Sequence, residues 1–209
     1  RKQHRGPMTC QSQTLQIAPA PPSALRDHIH DLGDQAGVFE LMDGAGPLSV
    51  AQLAEKTGME PKYLREWLGS IAAAGYVNFD PEAETFELTP EQALIFTREG
   101  QPACMQGFIQ AIVAQYEMHE KAVETFKSGK GRPWSEHSQC MFCGTDRFFR
   151  PGYAANLLDG WLPALGGVTD KLAAGAKVAD IGCGYGSSTV LMAQAFPNSS
   201  FHGFDFHEP

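Results

Sequence analysis

The chain has no long apolar run, few cysteines for its length and fewer basic than acidic residues, and each shortage removes a class of function. A membrane-spanning helix needs about 20 consecutive apolar residues, and no stretch approaches that. Lysine and arginine total 16 against 24 acidic residues, for a net charge of -8. A nucleic-acid binder gains affinity by setting cations on phosphates and releasing counterions, so nucleic acid is a poor default partner. The five cysteines, Cys10, Cys104, Cys140, Cys143 and Cys183, are odd in number and scattered. That excludes a disulfide framework and makes a reducing, cytoplasmic setting the expectation. The basic start "RKQHRGP" has no apolar signal core behind it, and residues 1–22 are set aside as an extension.

What remains is an ordinary globular composition, 43% hydrophobic and 10% aromatic over 209 residues, enough for one or two domains. Leu25, Ile29, Leu32, Ala36 and Phe39 recur at spacings of three and four, which predicts one amphipathic helix ending near "DGAGP". The Ser-x-x-Gln of "SVAQ" forms a capping box at Ser49 for a short helix that stops at Gly58. Pro61 suits the first position of a third helix, with Leu64, Trp67, Leu68 and Ile71 on one stripe and Gly75 at its end. Two strand-like runs, "YVNF" and "TFEL", are joined by "DPEAE", and "TPEQ" then caps a helix through Phe96.

Three helices followed by a hairpin is the order of a winged-helix domain, assigned to residues 23–98. Such units can place a helix in the DNA major groove, so a DNA-binding regulator is the alternative function. Lys62 and Arg65 on the third helix are offset by Glu60 and Glu66, and "DPEAE" is acidic, so phosphate would be repelled. Residues 99–150 read as a linking helix and loop. Met105, Phe108, Ile109, Ile112, Val113 and Tyr116 form a wide apolar stripe that a domain core or a homodimer seam would cover. The polar, Gly-rich stretch from Ser128 to Arg150 reads as a domain boundary. His137, Cys140 and Cys143 supply three donors where a structural zinc site uses four, so no metal is expected. Tyr153, Leu157, Trp161 and Leu162 fall on the inner side of the following helix, and Arg147 and Arg150 stand near enough in sequence to reach an anion.

Residues 151–209 end in the chemically most informative stretch. "KVADI" is a short strand, "GCGYG" a tight loop, "SSTVLMAQAF" a helix and "SFHGFDF" a second strand that ends at Asp205. This is the opening β-α-β of a Rossmann-like sheet, where ligands lie at the carboxyl ends of the strands. Gly182, Gly184 and Gly186 let the backbone turn sharply and approach a ligand. The dinucleotide fingerprint is Gly-x-Gly-x-x-Gly, whereas here the third glycine comes one place early and Ser187 stands where that pattern wants Gly or Ala. Asp180 adds a negative charge beside the loop, which repels a pyrophosphate.

"VADIGCGYG" resembles motif I of the class I S-adenosylmethionine-dependent methyltransferases, and "FHGFD" resembles that family's second motif. The amino-terminal part is similar to the winged-helix domain that precedes the catalytic domain in a bacterial-type subgroup. The resemblance implies an α/β fold, a helical winged-helix domain plus the first β-α-β of a Rossmann-like methyltransferase sheet that is incomplete at its carboxyl end. It implies that S-adenosylmethionine is the cofactor, with Asp180, Gly182, Cys183, Gly184 and Gly186 around its methionine part. Asp205 would hold the ribose and Phe206 would lie along the adenine, while Cys183 and Tyr185 contribute backbone alone. A small-molecule methyl acceptor is expected, and no catalytic base is named. Because one β-α-β unit is far short of a full sheet, the chain is expected to be a fragment or a truncated product.

Overall fold

A computed structural model describes residues 23–206, so residues 1–22 lie outside it. The amino-terminal lobe begins with α1, Ser23–Gln35, and α2, Val38–Met42. The single helix expected here is two, because Gly37 takes a left-handed conformation (φ 69°) and turns the chain back. The predicted stripe is also rotated. Leu25 and Leu32 are about half exposed, whereas His30 and Asp31 are buried. The reason is Trp67, whose indole lies against Gly33 and donates a 2.8 Å hydrogen bond to the Ile29 carbonyl.

Strand β1, Leu48–Ser49, leads into α3, Val50–Thr57, whose Ser49–Gln52 capping box forms as expected. Helix α4, Pro61–Ala73, buries Leu64, Leu68 and Ile71. Strands β2, Asn78–Asp80, and β3, Thr85–Glu87, make the wing, and α5, Pro90–Phe96, carries a second capping box from Thr89 and Gln92. The antiparallel order is β1-β3-β2, with Leu48 opposite Phe86. The two residues of β1 are too short a run to show as a strand in sequence. Phe39, Met42, Leu53, Leu68, Ile71 and Phe86 are fully shielded from solvent and form the centre of this lobe's core.

Helices α6, Gln106–Glu117, and α7, His119–Ser128, replace the single long helix expected, with the break at Met118. Only Ile109 and Val113 of the apolar stripe are buried, while Phe108 and Tyr116 stay about half exposed. After a short 3-10 turn at Trp134–Glu136 comes α8, Gln139–Asn156. It occupies much of the stretch read as polar linker and continues through Pro151, so the expected boundary at residue 150 falls inside a helix. Gly144 of this helix and Gly107 of α6 serve packing. A Cβ on Gly107 would stand 2.4 Å from the Phe148 backbone nitrogen, and one on Gly144 would stand 2.8 Å from that of Ala111. Helices α6 and α8 therefore cross with backbone nearly touching backbone.

A π-helical turn, Leu157–Trp161, then α9, Leu162–Ala164, and α10, Val168–Ala174, lead to the second sheet. Strand β4, Lys177–Ile181, helix α11, Ser187–Ala195, and strand β5, Ser200–Phe204, form the expected β-α-β unit. The strands are parallel, with Val178 opposite Phe201 and Ile181 opposite Phe204. Leu157, Leu162 and Leu172 are the buried centre of a smaller core, against which Val178, Leu191, Phe196 and Phe201 pack. Trp161, expected on the inner side, is about half exposed. Among the described residues no helix is long and apolar enough to cross a membrane.

Candidate cofactor site

The glycine loop joins β4 to α11 with Gly182, Gly184 and Gly186 all at positive φ, between 53° and 79°. Backbone of this kind is open to glycine at no steric cost. The amides of Gly182 and Cys183 donate to the Phe204 carbonyl at 2.7 and 3.2 Å, which stitches the loop to the end of β5. Asp205 accepts from the Gly184 amide at 2.8 Å, so the loop and the acid after β5 are fixed relative to each other. Cys183 turns its side chain towards β5, its sulfur 2.8 Å from where a Cβ on Gly203 would stand, and donates weakly to the Gly184 carbonyl.

Three consecutive hydroxyls at the start of α11 bind two carboxylates. Ser188 and Thr189 donate to Asp180 at 3.1 and 2.5 Å. Ser187 donates to Asp146 of α8. Asp180 thereby anchors the first turn of α11 to the end of β4. The amino end of a helix carries a partial positive charge, which favours both anions there. The other Asp146 oxygen lies 3.7 Å from the guanidinium of Arg150, whose side chain is largely in solvent, so the pair is of small energetic weight.

Between the loop and α8 lies a cavity of about 310 Å³. Asp180, Gly182, Cys183, Gly184 and Asp205 line it, whereas Gly186 and Phe206 are not among its walls. Phe206 is largely exposed. The opposite wall is aromatic: Trp134, Phe142 and Phe149, with Thr145 and Asp146, come from the segment read as linker, and Tyr153 from just beyond it. Of these, Tyr153 alone was singled out from sequence. Phe149 belongs to an aromatic run, "RFFRPGY", whereas Trp134 and Phe142 stand apart from it and carry no such signal. Among the described residues no lysine, arginine or histidine lines the cavity, which holds three aspartates.

Arg147, a candidate for anion binding, turns away from the cavity. It pairs with Asp34 at 2.6 Å and with Glu99. Burial works against its charge, but the hydrogen bonds from Asp34 and Glu99 outweigh it and hold the guanidinium more firmly protonated than usual. His137 sits against Arg132, Cys140 is exposed, and Cys143 lies 3.6 Å from the Tyr185 hydroxyl. The contact with Cys143, aided by burial, raises the Tyr185 pKa. Among the described residues no group of three or more His, Cys, Asp or Glu is placed to hold a metal ion.

Residues 28–98 match the family described as the Rv2258c-like winged HTH domain. No curated protein matches the chain. Among solved structures it is similar to the mitomycin 7-O-methyltransferase MmcR, at 17% identity and TM-score 0.62 over 87% of this chain and 55% of that one. PigF with SAH matches at 15% identity and TM-score 0.60 over 88% of this chain and 56% of that one. An O-methyltransferase family protein from Burkholderia thailandensis matches at 15% identity and TM-score 0.58, over 86% and 52%. The chain therefore spans a little over half the length of these structures. It shares their fold, a winged-helix lobe followed by the opening strands of the Rossmann-like sheet.

Proposed function

We propose that the chain is the winged-helix and cofactor-binding part of an S-adenosylmethionine-dependent methyltransferase acting on a small-molecule acceptor. The observation that carries this reading is a glycine loop at the end of a parallel strand whose cavity is lined by Asp146, Asp180 and Asp205 and, among the described residues, by no basic side chain. A nucleotide with a pyrophosphate would meet three negative charges there. S-adenosylmethionine has a sulfonium, an ammonium, one carboxylate and no phosphate, and its net positive charge complements the site. The cavity of about 310 Å³ is of the size of a small-molecule pocket.

When bound, the cofactor supplies a methyl group activated by the sulfonium. The residues of this chain bind and orient it. The loop from Gly182 to Gly184 and Asp180 lie where its methionine part would rest, Asp205 accepts from the ribose hydroxyls, and Trp134, Phe149 and Tyr153 exclude water from the far side. The relatives favour a small acceptor, since MmcR acts on mitomycin, and PigF was solved with SAH. A DNA-binding role is disfavoured by the acidic wing Asp80 to Glu84 and the net charge of -8. We place the protein in the cytoplasm and the homodimer seam on the exposed Leu25, Phe108 and Tyr116; sedimentation velocity showing a monomer would remove the latter. Calorimetry with S-adenosylhomocysteine tests the whole reading. Binding that Asp205→Ala weakens supports it, and absence of binding, or binding indifferent to that substitution, sinks it.

A further inference from the structure

We infer that Asp146, on α8 and outside both glycine-loop motifs, is a ligand for the ammonium group of the cofactor, an inference that rests on the cofactor reading above. Asp180 accepts the Ser188 and Thr189 hydroxyls on one oxygen and Asp205 accepts from the Gly184 amide, so both belong to the wall formed by the loop and the strand ends. Asp146 is the third carboxylate of the cavity and comes from the opposite wall. Its side chain is 19% exposed, so its charge is largely removed from water yet faces the cavity. Ser187 fixes it from the loop side. Its nearest cation, Arg150, stands 3.7 Å away with 57% of its side chain exposed, too solvated to neutralise it. A largely buried carboxylate in a cavity where no described residue supplies a basic side chain gains most from a ligand that brings its own cation. With Phe149 one turn further along α8, the helix presents a charge and an apolar ring to one ligand.

The inference separates from a purely structural role for Asp146 through two probes that share adenosine and thioether but differ in the amino-acid end. Binding of S-adenosylhomocysteine and of methylthioadenosine is measured by calorimetry on the chain and on Asp146→Asn. An asparagine keeps an acceptor for Ser187 and loses only the charge. Affinity for S-adenosylhomocysteine falls about tenfold or more, the effect of one lost charge-assisted hydrogen bond, while methylthioadenosine changes less than about twofold. Equal losses for both probes, or no loss for either, overturn the inference. On the unsubstituted chain, a desamino analogue of S-adenosylhomocysteine binds about tenfold more weakly than the parent, and equal affinity counts against Asp146 even where a variant fails to fold. Failure of the unsubstituted chain to bind any of these nucleosides removes the cofactor reading itself, a result distinct from all of the others.

Discussion

His30 is a titratable group fully enclosed in aromatic packing, with ring contacts to Phe39, Tyr76 and Phe96. Gln106 donates to Asp34 and to the Phe96 carbonyl, so its oxygen is left to accept, and the 2.5 Å contact with His30 assigns the proton to Nε2. Nδ1 then carries a lone pair with no partner among the described residues. Charging the ring would bury a cation, and burial holds the His30 pKa below its ordinary 6.5 in spite of the Gln106 hydrogen bond. The unfolded chain therefore takes up a proton as pH falls below that value while the folded chain does not. Stability is unaffected by His30 at neutral and higher pH and is lost on acidification below about pH 6.5, by at most about 1.4 kcal/mol per pH unit. Urea melts at pH 7, 6 and 5 measure the slope, which flattens in His30→Gln; an unchanged slope would show that other groups, such as His137, whose pKa burial also lowers, set it. Beside this site, Gly33→Ala drives a methyl into the Trp67 ring, 2.0 Å away, and costs about 1–3 kcal/mol of stability in the same melts.

Among the elements, the crossing of α6 and α8 determines where the aromatic wall of the cavity stands. Gly107 and Gly144 approach backbone atoms rather than flexible side chains, so a methyl at Gly144 can be relieved only by moving a helix. Gly144→Ala costs about 3 kcal/mol by denaturant titration and, by shifting Thr145, Asp146 and Phe149, weakens S-adenosylhomocysteine binding. Gly152→Ala, on the same helix with open space around it, does neither. Helix α8 is also where sequence reasoning failed. The capping boxes at Ser49 and Thr89, the wing hairpin and the β4-α11-β5 unit were legible because each depends on residues a few positions apart. Gly144 of α8 answers to α6, and Asp146 answers to Ser187, 41 residues away. Composition alone makes such a segment look like a linker. Likewise Asp31 and His30 are buried because Trp67 pulls one face of α1 inward, a distant contact that outranks the Leu25 and Leu32 periodicity.

Across the whole molecule, apolar burial is unevenly shared. The winged-helix lobe encloses a large core around Phe39, Leu53 and Phe86, while the β4-α11-β5 unit rests on Leu157, Leu162 and Leu172. Its parallel strands leave Ile181 77% exposed and Phe204 55% exposed, whereas parallel sheets are ordinarily covered on both faces. Local opening follows buried contact, so the two lobes differ in protection. Hydrogen exchange on the chain shows amides of β4 and β5 exchanging at least about tenfold faster than those of α4 and β3, a gap of about 1.4 kcal/mol in opening free energy. Ligand narrows that gap, because binding to the closed loop stabilises the unit by mass action, about 2.7 kcal/mol at a hundred times the dissociation constant. The protection gained with S-adenosylhomocysteine falls on residues 177–205 and on α8, the two walls of the cavity, and leaves α3 and the wing unchanged. Uniform protection across both lobes would mean instead that the chain opens as a single unit, with Arg147 and its partners Asp34 and Glu99 coupling the lobes strongly enough to erase the difference in core size.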